Sequence, residues 1–270
     1  MYIGENMPVD EHNVGWNPEF TPRKQTGFGA ILGYQLSVCR GIFQNPLRSK
    51  YIYTYIDINA AYGYYPSMKL DGSPLIFLKR AEKYGIPYKA YFIEEELDNC
   101  EKLTTNIGDL APGKWQLYND KYENVLPDLC RKIRDSYGML YHDPNNIPSF
   151  DILSYVYRNN NLYFVDCLIS TSATIIKRVK NGCGGKSLVD YLKTINKKFW
   201  LIRDLDKSDK HQWTLLFGTN WDGFKNYEKQ GFYRIDSSKG RDILRRCNMT
   251  ADELKEYELT CGQQTLEMVL

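Results

Sequence analysis

Residues 51–63 carry the sequence YIYTYIDINAAYG, which decides the predicted fold. The first six of these residues are all aromatic or β-branched, and a continuous run of this kind predicts a buried central strand. Asp57 directly follows the run, and small residues lead from it to Gly63. An acid at the end of a strand, followed by a small-residue loop, is typical of turns that hold a nucleotide cofactor through their backbone N–H groups.

The loop nevertheless departs from the usual glycine-rich form. Alanines stand at positions 60 and 61, where glycines are expected, and the bulky Tyr62 precedes the only glycine. A tight turn in an ordinary sheet is therefore the alternative interpretation. We keep the cofactor interpretation on the condition that position 61 does not require a positive φ, because alanine is almost as small as glycine.

Strand and helix patterns alternate along the rest of the chain. The predicted strands lie at 51–57, 88–96, 114–120, 138–146, 162–170, 211–221 and 231–238, and the predicted helices at 27–44, 72–85, 97–107, 122–136, 150–159, 173–182 and 250–259. This alternation predicts an α/β fold with a doubly wound, mostly parallel seven-stranded sheet, which the last two strands close as an antiparallel hairpin. The predicted divisions are an N-terminal arm and helix (1–48), the main domain (49–248) and a helical extension (249–270).

The helix at 72–85 has the clearest end signals. Ser73 is its predicted N-cap, Pro74 suits its first turn, and Gly85 suits a left-handed exit.

Composition limits the classes of protein to consider. The formal net charge of +2 gives no overall electrostatic case for nucleic-acid binding. No apolar run approaches the about 18 residues that a membrane span needs. The seven cysteines form no CxxC pair, which favours a reducing, cytoplasmic location without disulfides or a metal site.

Polar residues follow each of the first four predicted strands. They are Asp57 with Asn59, Ala61 and Gly63 in its loop, then Glu94, then Asn119 and Asp120, and finally Asp143, Pro144 and Asn145. The carboxyl ends of parallel strands meet at one edge of a sheet, where such folds bind ligands. A single acid at a strand end is usually a helix cap or a solvated loop residue, so the prediction depends on all four ends together.

The order of these groups suits an adenosine cofactor. The small loop admits the ligand, the carboxylate after the second strand accepts the ribose hydroxyls, and the polar pair after the third strand contacts adenine. The Asp-Pro turn then lies beside the reactive end of the cofactor. This is the plan of class I (Rossmann-like) S-adenosylmethionine-dependent methyltransferases, so the predicted cofactor is S-adenosyl-L-methionine.

Several of these segments also resemble one family, the three-Cys-motif partner proteins. The segments are YIDINAAYG, GSPLIFLKRAEKYGIPYKAYFIEEE, GMLYHDPNN, STSATIIKRV and HQWTLLFGTNW, within about residues 50–245. The resemblance implies a methyltransferase-like protein of phage or mobile-element and defence systems, with a partner protein encoded nearby. Ala61 and Tyr62 replace the Gly-Pro of that family's first loop.

The segment after the fourth strand suggests an amino-group methyltransferase. Asp143 would accept a hydrogen bond from the target amine, with Pro144 and Asn145 beside it, and the target base would be flipped out of its stack. The aromatic residue that usually stacks on such a base is absent from the segment. The candidates for that role are Tyr141, His142, Phe150 and the tyrosines at 62, 64 and 65, and His142 or His211 is a candidate general base.

Three functions remain open at this point. The first is methyl transfer from S-adenosylmethionine to an amino group of a nucleic-acid base. The second is a partner subunit that binds a cofactor or nucleotide without transferring a methyl group itself. The third and weakest is a metal-dependent nuclease or hydrolase that uses Asp57, Glu94 and Asp143 as ligands.

Overall fold

The computed structural model describes residues 20–133, 136–144, 148–172, 187–207, 212–223, 226–247 and 256. The strands are β1 Tyr53–Asp57, β2 Tyr64–Tyr65, β3 Leu70–Asp71, β4 Tyr88–Glu94, β5 Trp115–Asn119, β6 Tyr137–His142, β7 Val165–Ser172, β8 Phe199–Arg203, β9 Asp206–Lys207, β10 Gln212–Thr219 and β11 Phe232–Arg234. The helices are α1 Phe20–Phe43, α2 Ser73–Tyr84, α3 Leu97–Ile107, α4 Tyr122–Lys132, α5 Phe150–Asn159, α6 Leu188–Thr194 and α7 Ser238–Cys247, with 3-10 turns at Pro66–Met68 and Tyr227–Gln230.

One large sheet organises the fold. Its strand order is β5-β4-β1-β6-β7-β10-β8-β11, with β9 paired to β10, and β2 and β3 form a separate small hairpin. The five strands from β5 to β7 are parallel to one another. The pairings of β10 with β7, β8 and β9, and of β11 with β8, are antiparallel. The prediction of a doubly wound, mostly parallel α/β sheet with an antiparallel C-terminal hairpin is confirmed.

The hairpin differs from the prediction in its partners. The predicted strands at 211–221 and 231–238 correspond to β10 and β11, but they do not pair, because β8 lies between them. β8 was missed because its four apolar residues, FWLI at 199–202, stand between basic residues and show no extended period. With β8 and β9 added, the sheet has nine strands rather than seven.

Helices cover both faces of the sheet. Helices α1, α2 and α3 share one core, in which Tyr55 stacks on Phe77 at 4.1 Å between ring centroids and Phe28 stacks on Tyr141 at 4.6 Å. Helices α4 to α7 share the other core, to which they contribute Leu129, Leu153, Leu192 and Ile243. The alternating side chains of β1 and its neighbours supply both cores, which places the sheet in the middle layer.

Helix α1 begins earlier than predicted. It starts at Phe20, within the segment predicted to be an irregular arm, and Pro22 is tolerated there because the N–H groups of the first turn have no acceptor within the helix, so the missing N–H of proline costs no hydrogen bond. Further along, Gly29 and Gly33 leave room for the Arg80 guanidinium of α2. A Cβ atom added at either glycine would lie 2.8 Å from an Arg80 nitrogen.

A second correction concerns the start of α2. The N-cap residue is Gly72, and Ser73 is the first helical residue, whose hydroxyl hydrogen-bonds with Asp57 instead of capping the helix. The left-handed exit at Gly85 is confirmed, with φ of 61°. The predicted helix at 173–182 lies outside the described residues, as does that at 250–259 except for residue 256. Among the helices described, none is long and apolar enough to cross a bilayer.

Candidate cofactor site at the carboxyl edge of the sheet

Asp57, the last residue of β1, is fully buried at the base of the candidate site. Its carboxylate accepts hydrogen bonds from the Tyr55 hydroxyl at 3.0 Å and from the Asn59 backbone N–H at 3.3 Å. Burial raises the pKa of Asp57 to about 7, although hydrogen bonds from Ser73, Asn59 and Tyr55 act in the opposite direction. The negative charge of Asp143 adds to the increase. Asp57 can therefore change its charge near neutral pH.

The loop after Asp57 contains two residues in the left-handed region. Ala61 has φ of 49° and Gly63 has φ of 74°. A Cβ atom added at Gly63 would lie 2.6 Å from Leu103 Cδ1, so this position requires glycine for both its backbone and its surroundings. The condition that position 61 does not require a positive φ is not met, so the small size of alanine no longer supports the cofactor interpretation, which depends instead on the contacts that the loop makes. Alanine occupies the left-handed region there at a cost of roughly 1 kcal/mol.

Tyr62 does not stand out from the loop. Its side chain is only 6% exposed and packs against Tyr65, with ring centroids 5.7 Å apart, in a small cluster that includes Met68 and Leu70. Its backbone carbonyl accepts a hydrogen bond from the Asn106 side-chain amide at 2.7 Å. The bulky residue that replaces the expected proline is therefore accommodated by the β2–β3 hairpin.

Glu94, the last residue of β4, faces this loop. Its Oε2 accepts the Ala61 backbone N–H at 2.8 Å, and its Oε1 accepts the Glu96 backbone N–H at 3.0 Å and the Asn99 amide at 3.3 Å. Burial raises the pKa of Glu94, and these hydrogen bonds oppose the increase. A carboxylate has about four acceptor positions. The three described donors leave one acceptor position, on Oε2, so Glu94 has room for one ribose hydroxyl. The predicted contact with both ribose hydroxyls would require one of these three donors to be displaced.

Asn119 and Asp120 lie at the end of β5, and both are exposed. The Asn119 amide donates to the backbone carbonyls of Glu94 at 3.2 Å and of Glu95 at 2.9 Å, which ties the ends of β4 and β5 together. Asp120 Oδ1 accepts the Lys121 backbone N–H at 2.7 Å and the Asn124 amide at 2.9 Å at the start of α4. These contacts are structural, and they leave Asn119 Oδ1 and Asp120 Oδ2 as the atoms for a contact with adenine.

His142, the last residue of β6, is fully buried and joins two of the strand ends. Its Nε2 accepts the Ser149 backbone N–H at 3.0 Å, and its Nδ1 lies 2.7 Å from Asn59 Oδ1. Because Nε2 is an acceptor, the proton of the neutral ring is on Nδ1 and is donated to Asn59. Burial lowers the pKa of His142 to about 3. With both nitrogens engaged, His142 positions other residues and offers no free lone pair to a substrate, which argues against the suggested role of general base.

Asp143 follows His142 and is bound by residues from two other elements. Its backbone N–H donates to Asn59 Oδ1 at 3.3 Å, and its Oδ2 pairs with the Lys24 ammonium of α1 at 2.8 Å. Both side chains are largely buried, at 16% exposed for Asp143 and 19% for Lys24. Sequence reasoning missed Lys24, since a single lysine in a helix carries no signal of such a contact. Pro144 is half-buried, and Asn145 lies outside the described residues.

Most aromatic residues suggested for base stacking belong to the interior. Tyr141 stacks on Phe28 and Phe150 on Tyr191, while His142, Tyr62 and Tyr65 are buried as well. Of the candidates, Tyr64 alone is half-buried rather than buried. His211 lies outside the described residues.

The structure thus brings most of the predicted residues into direct contact at one edge. Ala61 contacts Glu94, Asn119 contacts the end of β4, and Asn59 contacts Asp143. Asp120 belongs instead to the start of α4. In the described part of the chain, no three His, Cys, Asp or Glu side chains form a group that could hold a metal ion. Asp57, Glu94 and Asp143 therefore do not form the ligand set of the nuclease hypothesis.

The comparison with solved structures supports the architecture, whereas two other comparisons found no match. No protein-family model and no curated protein matches the chain. Among solved structures, protein LPL1258 from Legionella pneumophila superposes with a TM-score of 0.51 at 12% identity, over 75% of this chain and 89% of its own. A similarity at this level of identity shows a shared fold.

Two further structures superpose less well. They are an rRNA methylase from Streptococcus thermophilus, with a TM-score of 0.40, 11% identity and coverage of 63% and 88%, and SMU.1697c from Streptococcus mutans in complex with SAH, with a TM-score of 0.39, 10% identity and coverage of 62% and 89%.

Proposed function

We propose that the chain is an S-adenosylmethionine-dependent methyltransferase that acts on an amino group of a nucleic-acid base. The observation that carries the proposal is the closure of the β1 loop on the end of β4, through the Ala61 N–H and the Glu94 carboxylate. The ends of β5 and β6 flank it with Asn119 and Asp143, in the order that an adenosine cofactor needs. We include in this proposal a relationship to the three-Cys-motif partner proteins, which several sequence segments resemble.

The chemical groups at the site suit the parts of S-adenosylmethionine that they would contact. Gly63 and the folded-back Tyr62 leave the loop without an intruding side chain, and Oε2 of Glu94 has an acceptor position for a ribose hydroxyl. Asn119 and Asp120 would contact adenine through their remaining oxygens. Asp57, at the base of the loop, would face the methionine part, where its ionised form favours a cation. When bound, S-adenosylmethionine supplies the electrophilic methyl group.

Asp143 would orient the methyl acceptor. Its Oδ2 already accepts from an amine nitrogen, the Lys24 ammonium, at 2.8 Å, which is the contact that a target amino group would make. Accepting an N–H from that group directs the nitrogen lone pair away from the carboxylate, toward the reacting methyl group. Such alignment supplies a large part of the rate of a two-substrate reaction. The target replaces Lys24 on Asp143, and His142 and Asn59 hold the Asp143 backbone meanwhile.

Two measurements test this function in sequence. Calorimetry with S-adenosylmethionine and S-adenosylhomocysteine should show binding to the folded protein, and Glu94→Ala should abolish it. Transfer of labelled methyl groups to single-stranded DNA and RNA should then occur, and Asp143→Ala should reduce it at least about 100-fold while cofactor binding persists. Absence of cofactor binding by a folded protein would refute the proposal.

A second function is favoured by one observation, which is that Lys24 occupies the Asp143 carboxylate. A partner subunit that binds the cofactor without transferring a methyl group would keep this ion pair permanently. Lys24→Ala separates the two functions. In a methyltransferase the substitution frees Asp143 for the substrate and transfer continues, whereas in a binding subunit no transfer occurs with or without Lys24.

A further inference from the structure

A continuous row of aromatic rings lies at the amino edge of the sheet, opposite the candidate cofactor site. Tyr51, Tyr137, Phe164 and Tyr163 follow one another with centroid separations of 5.6, 4.7 and 4.9 Å. Tyr163 is 43% exposed and Phe164 is 48% exposed. We call these four residues the aromatic strip. Large exposed aromatic groups that lie together commonly mark a binding surface.

Lysines stand at both ends of the aromatic strip. The Lys50 ammonium lies 5.5 Å from the Tyr51 ring centroid, and the Lys198 ammonium lies 5.7 Å from that of Tyr163. The segments that carry the two ends of the strip contain no acidic residue, since none occurs at 20–56, 159–164 or 191–203, while Asp135 stands two residues before Tyr137 in the sequence. The two ends of the strip are therefore locally basic, although the whole chain is nearly neutral.

The exposed end of the aromatic strip is held by a buried cation. Lys197 donates to the backbone carbonyls of Leu162 at 2.9 Å and Tyr163 at 3.2 Å, and the Asn220 amide donates to the same Tyr163 carbonyl at 3.0 Å. Burial lowers the pKa of Lys197 to about 8, since desolvation disfavours the buried ammonium. These hydrogen bonds hold the backbone of Leu162 and Tyr163 at the exposed end of the strip.

We propose that the aromatic strip binds single-stranded nucleic acid, with bases stacked on Tyr163 and Phe164 and phosphates paired with Lys50 and Lys198. Aromatic platforms flanked by cations bind single strands in this way, because every base has a face that can stack. The strip lies one strand length, about 16 Å, from the edge that carries Asp57. The proposal does not depend on methyl transfer, and binding here can be present or absent whatever the cofactor site does.

Fluorescence anisotropy with labelled single-stranded DNA and RNA of about 12 nucleotides tests the proposal in the full chain. The double variant Tyr163→Ala/Phe164→Ala should weaken binding at least about tenfold. The double variant Lys50→Gln/Lys198→Gln should reduce the slope of log affinity against log salt by about 2, one for each phosphate contact. Comparison of the DNA and RNA affinities identifies the preferred polymer.

Matched variants control for general effects of the substitutions. Tyr155, 52% exposed on α5, is an aromatic residue outside the strip, so Tyr155→Ala should leave the affinity unchanged. Lys69→Gln/Lys229→Gln removes the same charge from two exposed lysines of other segments and should leave the salt slope unchanged. Thermal unfolding confirms that each variant is folded.

Three results would overturn the proposal. The first is an absence of binding at low salt, and the second is equal binding by the strip variants and their controls. The third is a dimer, seen by sedimentation, that disappears in Tyr163→Ala/Phe164→Ala, because the aromatic strip would then contact a second copy of the chain. Cofactor calorimetry on the same variants reports on the cofactor site alone, so a failure of the aromatic-strip proposal can be told apart from a failure of the proposed methyltransferase function.

Discussion

The Ala61 backbone N–H donates to Glu94 Oε2 at 2.8 Å, which joins the loop after β1 to the end of β4. This hydrogen bond holds a residue whose φ of 49° is unusual for alanine. The energy that holds the loop in its shape therefore comes partly from the carboxylate proposed to bind the ribose. Loop geometry and cofactor affinity should consequently respond to the same substitutions.

Replacement of Glu94 by glutamine should lower both stability and cofactor affinity. The glutamine amide nitrogen cannot accept an N–H, so either the Ala61 or the Glu96 donor loses its acceptor. We expect a loss of about 1–3 kcal/mol in the free energy of unfolding and at least a tenfold weaker affinity for S-adenosylmethionine. Urea denaturation and calorimetry measure the two quantities. The exposed neighbour provides the control, since Glu95→Gln should change neither.

Glycine substitutions at two adjacent alanines should have opposite effects. Ala61→Gly removes the cost of the left-handed conformation and should stabilise the protein by up to about 1 kcal/mol after the entropy of glycine is subtracted. Ala60 is buried and has no positive φ, so Ala60→Gly should destabilise by roughly 1 kcal/mol or more. Chemical denaturation compares them, and destabilisation of equal size at both positions would contradict the loop conformation.

The imidazole of His142 should stay neutral well into the acid range. Burial lowers its pKa to about 3, and the Ser149 N–H holds the tautomer with its proton on Nδ1. Nitrogen-15 NMR at pH 5 should show a neutral Nδ1–H ring, assigned by its disappearance in His142→Gln. A ring that titrates near pH 6.5, the ordinary value for histidine, would show that the Asn59–His142 arrangement does not form.

The pH dependence of stability should reveal Asp57. The pKa of this carboxyl is about 7 in the folded protein, against about 3.9 in an unfolded chain. Between these values the unfolded chain releases the proton and the folded protein retains it, so the contribution of Asp57 to stability declines as pH rises through this window. Above about pH 7 both states are ionised and the contribution is constant.

The variant Asp57→Asn isolates this effect, because asparagine does not titrate. The unfolding free energy of the wild type minus that of the variant should fall from about pH 4 to about pH 7 and then level off. The contribution of His142 is present in both proteins and cancels in the difference. Urea denaturation across this range measures the difference, and an increase with pH would show that Asp57 is not buried as described.

The sequence predicted the strand ends well because each is marked locally. Asp57, Glu94 and Asn119 are the final residues of β1, β4 and β5, and each is the polar residue that follows the last apolar or aromatic residue of its strand. Ladder pairing then brings them to one edge without any further information from their side chains. The parallel architecture followed from the alternation of strands and helices for the same reason.

Contacts between distant segments could not be predicted in this way. The pairing of Lys24 with Asp143 and of His142 with Asn59 joins residues 119 and 83 positions apart, and no local pattern marks either pair. The positive φ of Ala61 could not be predicted either, because the sequence does not distinguish an alanine in the left-handed region from any other alanine. β8 was missed because its neighbours on the sheet, and not its own four apolar residues, define it as a strand.

Helix α1 touches both ends of β6, and this determines where the chain can be cut. Lys24 reaches Asp143 after the strand, while the Gln35 amide donates to the Gly138 carbonyl at 2.8 Å and to Asp166 Oδ2 at 2.7 Å near its start. Eleven helical residues and five strand residues both span about 16 Å, so the two elements match in length. A fragment that begins at residue 49 would lose these partners and uncover Tyr55 and Tyr141. We therefore expect helix α1 and the sheet to form one folding unit, so that the predicted boundary between residues 48 and 49 is not a boundary between independently folding domains.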